Sequence, residues 1–138
     1  MPLRPVAITA IVAVVAATLV LATQSPVAAA SVNTVSAGSS HSCALFAEGS
    51  VKCWGENGSG QLGQGSTTDL GDGAGEMGDD LDPIDLGTGR TATAFATGGD
   101  YTCAILDNGN VKCWGLGSAG QLGQGNDTTL GKAAGEMG

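Results

Sequence analysis

Residues 35–78 of this chain return, without a gap, as residues 95–138, with 23 of the 44 aligned positions identical. Cys43-Ala44 recurs as Cys103-Ala104, and Val51-Lys52-Cys53-Trp54-Gly55 as Val111-Lys112-Cys113-Trp114-Gly115. Gly60-Gln61-Leu62-Gly63-Gln64-Gly65 recurs from Gly120 to Gly125, and Gly75-Glu76-Met77-Gly78 from Gly135 to Gly138. A fixed period of sixty residues describes stacked supersecondary units, each burying a face against its neighbour, rather than one globular core. It also sets the first question for every recurring residue, which is whether it builds the repeat before it serves a ligand.

The first thirty residues lie outside that pattern. Arg4 gives a positive start, Val6 to Ala22 carries no charge, and Ala28-Ala29-Ala30 offers the small residues that signal peptidase accepts. This predicts a signal peptide over 1–30, cleaved before Ser31, in preference to a short membrane anchor. All 24 glycines fall in the remaining 108 residues, about three times the usual share. That remainder holds 13 acids against 4 bases. Such a surface repels phosphate backbones and anionic lipid, so neither nucleic acid nor a membrane is an expected partner. Four cysteines in an exported chain point to disulfides.

Each repeat reads as short β-strands separated by glycine turns. A short first strand runs from Val35 to Gly38, or from Phe95 to Gly98. The next runs from His41 to Phe46, or Tyr101 to Leu106, and the third from Val51 to Trp54, or Val111 to Trp114. Pro83-Ile84-Asp85-Leu86 is expected as a fourth strand, with proline at its first position. Ala47-Glu48-Gly49 and Asp107-Asn108-Gly109 fit a type I turn closed by a left-handed glycine. That turn places Cys43 opposite Cys53 and Cys103 opposite Cys113, in non-hydrogen-bonded pairs where side chains approach most closely. Two hairpin disulfides follow, each worth about 2.5–3 kcal/mol in the chain-entropy picture. The alternation sets Cys43, Leu45, Val51 and Cys53 on one face and Ala44, Phe46 and Trp54 on the other. Both faces are apolar, so the sheet needs cover on both sides.

Ala37-Gly38, His41 to Leu45, Gly49, Val51, Trp54-Gly55 and Gly60 to Gly63 resemble the repeat of the regulator of chromosome condensation family, as do their counterparts from Gly98 to Gly123. The resemblance implies an all-β fold of β-propeller blades, normally seven to a ring. The cysteine-bearing form is similar to repeats of exported bacterial proteins. The units expected are 31–90 for the first repeat and 91–138 for the second, incomplete one. Two blades do not close a ring, so a fragment of a longer propeller is expected, with assembly of several copies as the alternative.

Residues with chemical potential have plainer readings within this frame. Zinc prefers close Cys-x-x-Cys pairs, and these cysteines are spaced as hairpin partners. His41 has Tyr101 as its counterpart and no second histidine to work with. Seven acids between Asp69 and Asp85 lack the alternation of a calcium loop. The stretch 55–65 lacks the Lys-Ser/Thr of a phosphate loop. Trp54 and Trp114 are expected to pack between blades, and Gln61 and Gln121 to hydrogen-bond there.

No catalytic, metal or cofactor site is expected, and no small-molecule substrate is evident. The reading is an exported, non-enzymatic module, extracellular or periplasmic, that binds an unidentified protein through rim loops, the acidic 66–82 loop foremost. Inhibition of a secreted enzyme, in the manner of a β-lactamase inhibitory protein, and nucleotide exchange on a small GTPase are alternatives that the resemblance admits. A glycan-binding or glycan-active propeller using Asp79 and Asp82 is a third.

Overall fold

The computed structural model describes residues 30–137, so the signal segment lies outside the described residues apart from Ala30. Six strands follow in order: β1 Val32–Ala37, β2 His41–Phe46, β3 Val51–Gly55, β4 Ala92–Thr97, β5 Tyr101–Leu106 and β6 Val111–Gly115. They form two three-stranded antiparallel sheets, β1-β2-β3 and β4-β5-β6. A single 3-10 turn, Gly78–Asp80, stands in the long connection between them. Among the described residues no helix is long and apolar enough to cross a membrane.

The hairpins take the expected register. Cys43 pairs with Cys53 and Leu45 with Val51, and the second sheet repeats this with Cys103–Cys113 and Ile105–Val111. At the turn, Phe46 N–H donates to Ser50 O and Gly49 N–H to Phe46 O, with Gly49 left-handed at φ 86°. The cysteine Cα atoms lie 4.1 and 4.0 Å apart, and both disulfides are formed within their hairpins. The first strands begin earlier than the sequence suggests, at Val32 and Ala92, because each continues past a bulge at Asn33 or Thr93.

The expected fourth strand is absent. Ile84 N–H donates to Val51 O, and no ladder develops from that bond. Pro83 has no donor to extend it, and the Asp85 carboxylate takes the Gly87 N–H, which turns the chain away. At its other end the outer edge of β3 is met by Leu70, which exchanges both backbone hydrogen bonds with Gly55. Two isolated contacts thus stand where a strand would lie. Ile84 and Leu86 still serve the core, buried between the sheets as packing residues.

The sheets stack in one sense. Cys43, Leu45, Val51 and Cys53 of the first and Ala104, Leu106 and Trp114 of the second belong to one apolar cluster, together with Leu62 and Met137 and flanked by Phe95. Only one face of each sheet is fully covered among the described residues, since Val32, Val35, Ile105 and Val111 remain exposed. The 55–70 loop folds around Asn57, which is fully buried. Its Nδ2 donates to Ser66 O and Thr68 O, its Oδ1 accepts Leu62 N–H, and its own N–H reaches Asp69 Oδ1. Replacing Asn57 with alanine removes the partner of three backbone groups, of which Leu62 N–H is buried, so N57A is expected to lose about 1–3 kcal/mol in urea unfolding. A change below about 0.5 kcal/mol would show that the loop closes without it.

Candidate functional site

The most constrained polar cluster lies between the sheets. The Gln61 main-chain carbonyl accepts the Trp114 indole Nε1–H at 3.0 Å and the Thr102 hydroxyl at 3.2 Å. That hydroxyl lies 3.0 Å from His41 Nε2. Having given its one hydrogen to Gln61, Thr102 accepts from His41, which places the histidine proton on Nε2 and leaves Nδ1 buried without a partner. Burial holds the His41 pKa below its ordinary value, against weaker upward pulls from Asp100 and Glu56. Among the described residues the His41 ring hydrogen-bonds Thr102 and no carboxylate. The network ties one blade to the next.

Gln61 contributes differently from its expected role. Its side-chain Oε1 accepts Ser59 N–H within its own loop, and its backbone oxygen makes the inter-sheet bonds. Gln121 repeats the local bond, to Ala119 N–H. Trp114 is fully buried between the sheets. Trp54, its counterpart, is half-buried beside Gly71 of its own repeat. Gly63 has to be glycine beside Trp114: its φ is 67°, and a Cβ there would lie 2.8 Å from the indole nitrogen.

Two further residues explain the Gly-Glu-Met-Gly segment. Glu76 Oε2 accepts Gly71 and Gly73 N–H, and Glu136 Oε2 accepts Gly131, Lys132 and Ala133 N–H. These backbone donors hold both carboxyls below the usual glutamate range. Lys52 Nζ donates to Gly78 O, and Lys112 Nζ to Met137 O and Leu86 O. The repeated lysine therefore fastens the end of the loop that the glutamate shapes.

The long loop carries its acids outward. Asp69, Asp72, Asp79, Asp80, Asp82 and Asp85 are all exposed. Asp69 and Asp85 are occupied by backbone amides. Asp79, Asp80 and Asp82 have carboxylates without a hydrogen bond or ion pair among the described residues. Asp82 and Asp85 line an open depression of about 410 Å³, bounded by Gly63 to Gly65 on one side and Ala133 to Gly135 on the other. No group of three potential metal ligands occurs among the described residues.

Sequence reasoning missed Asn57 and Thr102. Asn57 faces Gly117 in the second repeat, so comparing repeats discards it. Thr102 is paired with Ser42, and a hydroxyl kept at one strand position was the available signal.

Residues 32–61 and 92–121 each match the regulator of chromosome condensation (RCC1) repeat. The ultraviolet-B receptor UVR8 of Arabidopsis thaliana is 35% identical over 96 residues, covering 68% of this chain and 20% of the receptor. Human WBSCR16 superposes with a TM-score of 0.57 at 28% identity, over 73% of this chain and 24% of that structure. Saccharomyces cerevisiae Prp20p superposes with a TM-score of 0.58 at 20% identity, over 76% and 25%, a likeness of fold. The chain spans about a fifth of the receptor and a quarter of the two solved structures.

Because His41 is held neutral, its contribution to stability is complete above its unfolded value of about 6.5 and is lost as pH falls through the lowered folded value. Melting temperature is expected to begin falling below about pH 6.5, ahead of the further fall that sets in when Glu76 and Glu136, held below their ordinary 4.5, take up protons. H41Q should remove this step and leave the lower one. An unchanged profile in H41Q would refute the assignment.

Proposed function

From a chain that carries two regulator of chromosome condensation repeats, we propose an exported, non-enzymatic module that binds a protein partner through its acidic rim loop. The observation that carries this reading is the set of Asp79, Asp80 and Asp82 carboxylates, exposed and unengaged beside the depression that Asp82 and Asp85 line. Charges that a fold does not use for itself attract a partner of opposite sign and raise its rate of encounter. A lysine or arginine side chain on a protein surface fits such a depression. The loop is well held for the task, tethered by Lys52 at Gly78 and shaped by Glu76.

Export is supported by the charge-free run after Arg4 and by two formed disulfides, which suit an oxidising compartment outside the cytoplasm. Binding of proteins has a parallel in yeast Prp20p, whose structure was described with its binding to Gsp1p and histones. Nothing specific in the geometry favours nucleotide exchange, enzyme inhibition or glycan chemistry over simple protein recognition.

The test is capture of extracellular or periplasmic proteins on the immobilised chain, followed by affinity measurement for the captured partner. The D79N/D80N/D82N variant is expected to bind about tenfold more weakly at low salt, with the difference shrinking as salt is added. Equal affinity for the variant and the parent would overturn the acidic loop as the binding surface.

A further inference from the structure

The joint between the two sheets encloses one titratable side chain whose hydrogen bonding is only half complete. His41 is 3% exposed, and its Nδ1 is buried with no hydrogen-bond partner. Gly38 lies close against that edge of the ring: a Cβ there would stand 2.6 Å from Nδ1 and would also strike the Gly98 carbonyl of the second repeat. From the other edge, Nε2 starts a chain of bonds through the Thr102 hydroxyl to the Gln61 carbonyl, which also holds the Trp114 indole. His41 and Gln61 belong to the first repeat, Thr102 and Trp114 to the second, so each of these bonds crosses the joint. Each sheet, by contrast, is closed within itself by its own ladder and its own disulfide.

A neutral imidazole suits this seat, because its one N–H is spent on Thr102 and a bare ring nitrogen costs less to bury than an ionised donor. A proton taken from water at Nδ1 creates that ionised donor where it has no partner. The charged groups that act on the ring are two carboxylates, Asp100 from the turn before β5 and Glu56 from the loop after β3, and neither hydrogen-bonds it in the closed joint. Cys43 and Cys53 beside it are oxidised and do not titrate. Glu56 is exposed and Asp100 half-buried, so a protonated ring gains both water and counter-charge by leaving its seat.

We propose that His41 is a proton-operated latch: protonation at Nδ1 breaks the His41–Thr102–Gln61 chain and lets the two sheets part at this joint while each stays folded. The opening is local, since the ladders and disulfides within the sheets do not depend on the latch. It takes up one proton, so its equilibrium constant rises about tenfold for each pH unit below about 6.5, until the ring titrates in the closed joint as well. Gly63 to Gly65 begin two residues after Gln61 and face Ala133 to Gly135 across the rim depression, so the latch also sets the separation of those walls. That consequence rests on the binding surface proposed above. The latch itself is read without any partner, so the two readings fail separately.

His41 is the only histidine in the sequence, so NMR of the full oxidised chain follows its ring titration directly. The same samples give the solvent exchange rate of the Trp114 indole N–H, which W54F assigns because the chain has two tryptophans. H41Q, which keeps an uncharged N–H donor for Thr102, is the reference. Relative to it, indole exchange in the parent is expected to quicken about tenfold between about pH 6.5 and about 5.5. Over that range the ladder amides of β2–β3 and β5–β6 should keep their protection. The proposal is overturned if parent and H41Q follow one course, or if the ladder amides lose protection together with the indole. It is equally overturned if the ring takes its proton while the indole stays protected. Should H41Q not fold, as judged by circular dichroism, the indole of free tryptophan replaces it as the reference and the same outcomes decide.

Discussion

One backbone carbonyl organises this molecule. Gln61 O accepts both an indole and a hydroxyl from the following sheet, at the place where the glycine-rich loop leaves the first blade. Those two bonds are buried, so leaving either donor unmatched would cost more than the bond itself contributes. They fix how the second sheet approaches the first, and the apolar contacts of Leu45, Val51, Leu106 and Trp114 fill the space so defined. Apolar area alone would tolerate sliding. The paired donors select one register between the sheets, as buried polar groups do when they are fully satisfied.

A nearly symmetric sequence thereby acquires asymmetric environments. Trp54 and Trp114 share a strand position, yet one is half-buried and the other fully enclosed. Met77 is largely exposed and Met137 buried, although both follow the same glutamate. The local devices do repeat faithfully: the glutamate gathering amides, the lysine tethering the loop, the cysteines pairing across the hairpin. What differs is what each repeat has next to it.

The division between legible and hidden features follows the range of the forces. The hairpin register could be read because the turn residues and the alternation of Cys43, Leu45, Val51 and Cys53 are local constraints. The stacking could be read because the period itself implies it, and the blade form follows from the resemblance carried by His41 to Leu45, Trp54-Gly55 and Gly60 to Gly63. Pro83-Ile84-Asp85-Leu86 alternates like a strand without forming one, because the alternation reflects Ile84 and Leu86 reaching separately into the core. The His41–Thr102–Gln61 network was not legible. Its members lie up to 61 residues apart, and the decisive acceptor is a main-chain oxygen that carries no side-chain signature.

The connectivity of the disulfides bears on how such a chain matures. Each bridge joins cysteines ten positions apart, first to second and third to fourth. A polypeptide emerging N-terminus first meets its thiols in the order in which they pair. Oxidation as the chain appears would therefore yield the native links directly, without reshuffling by an isomerase.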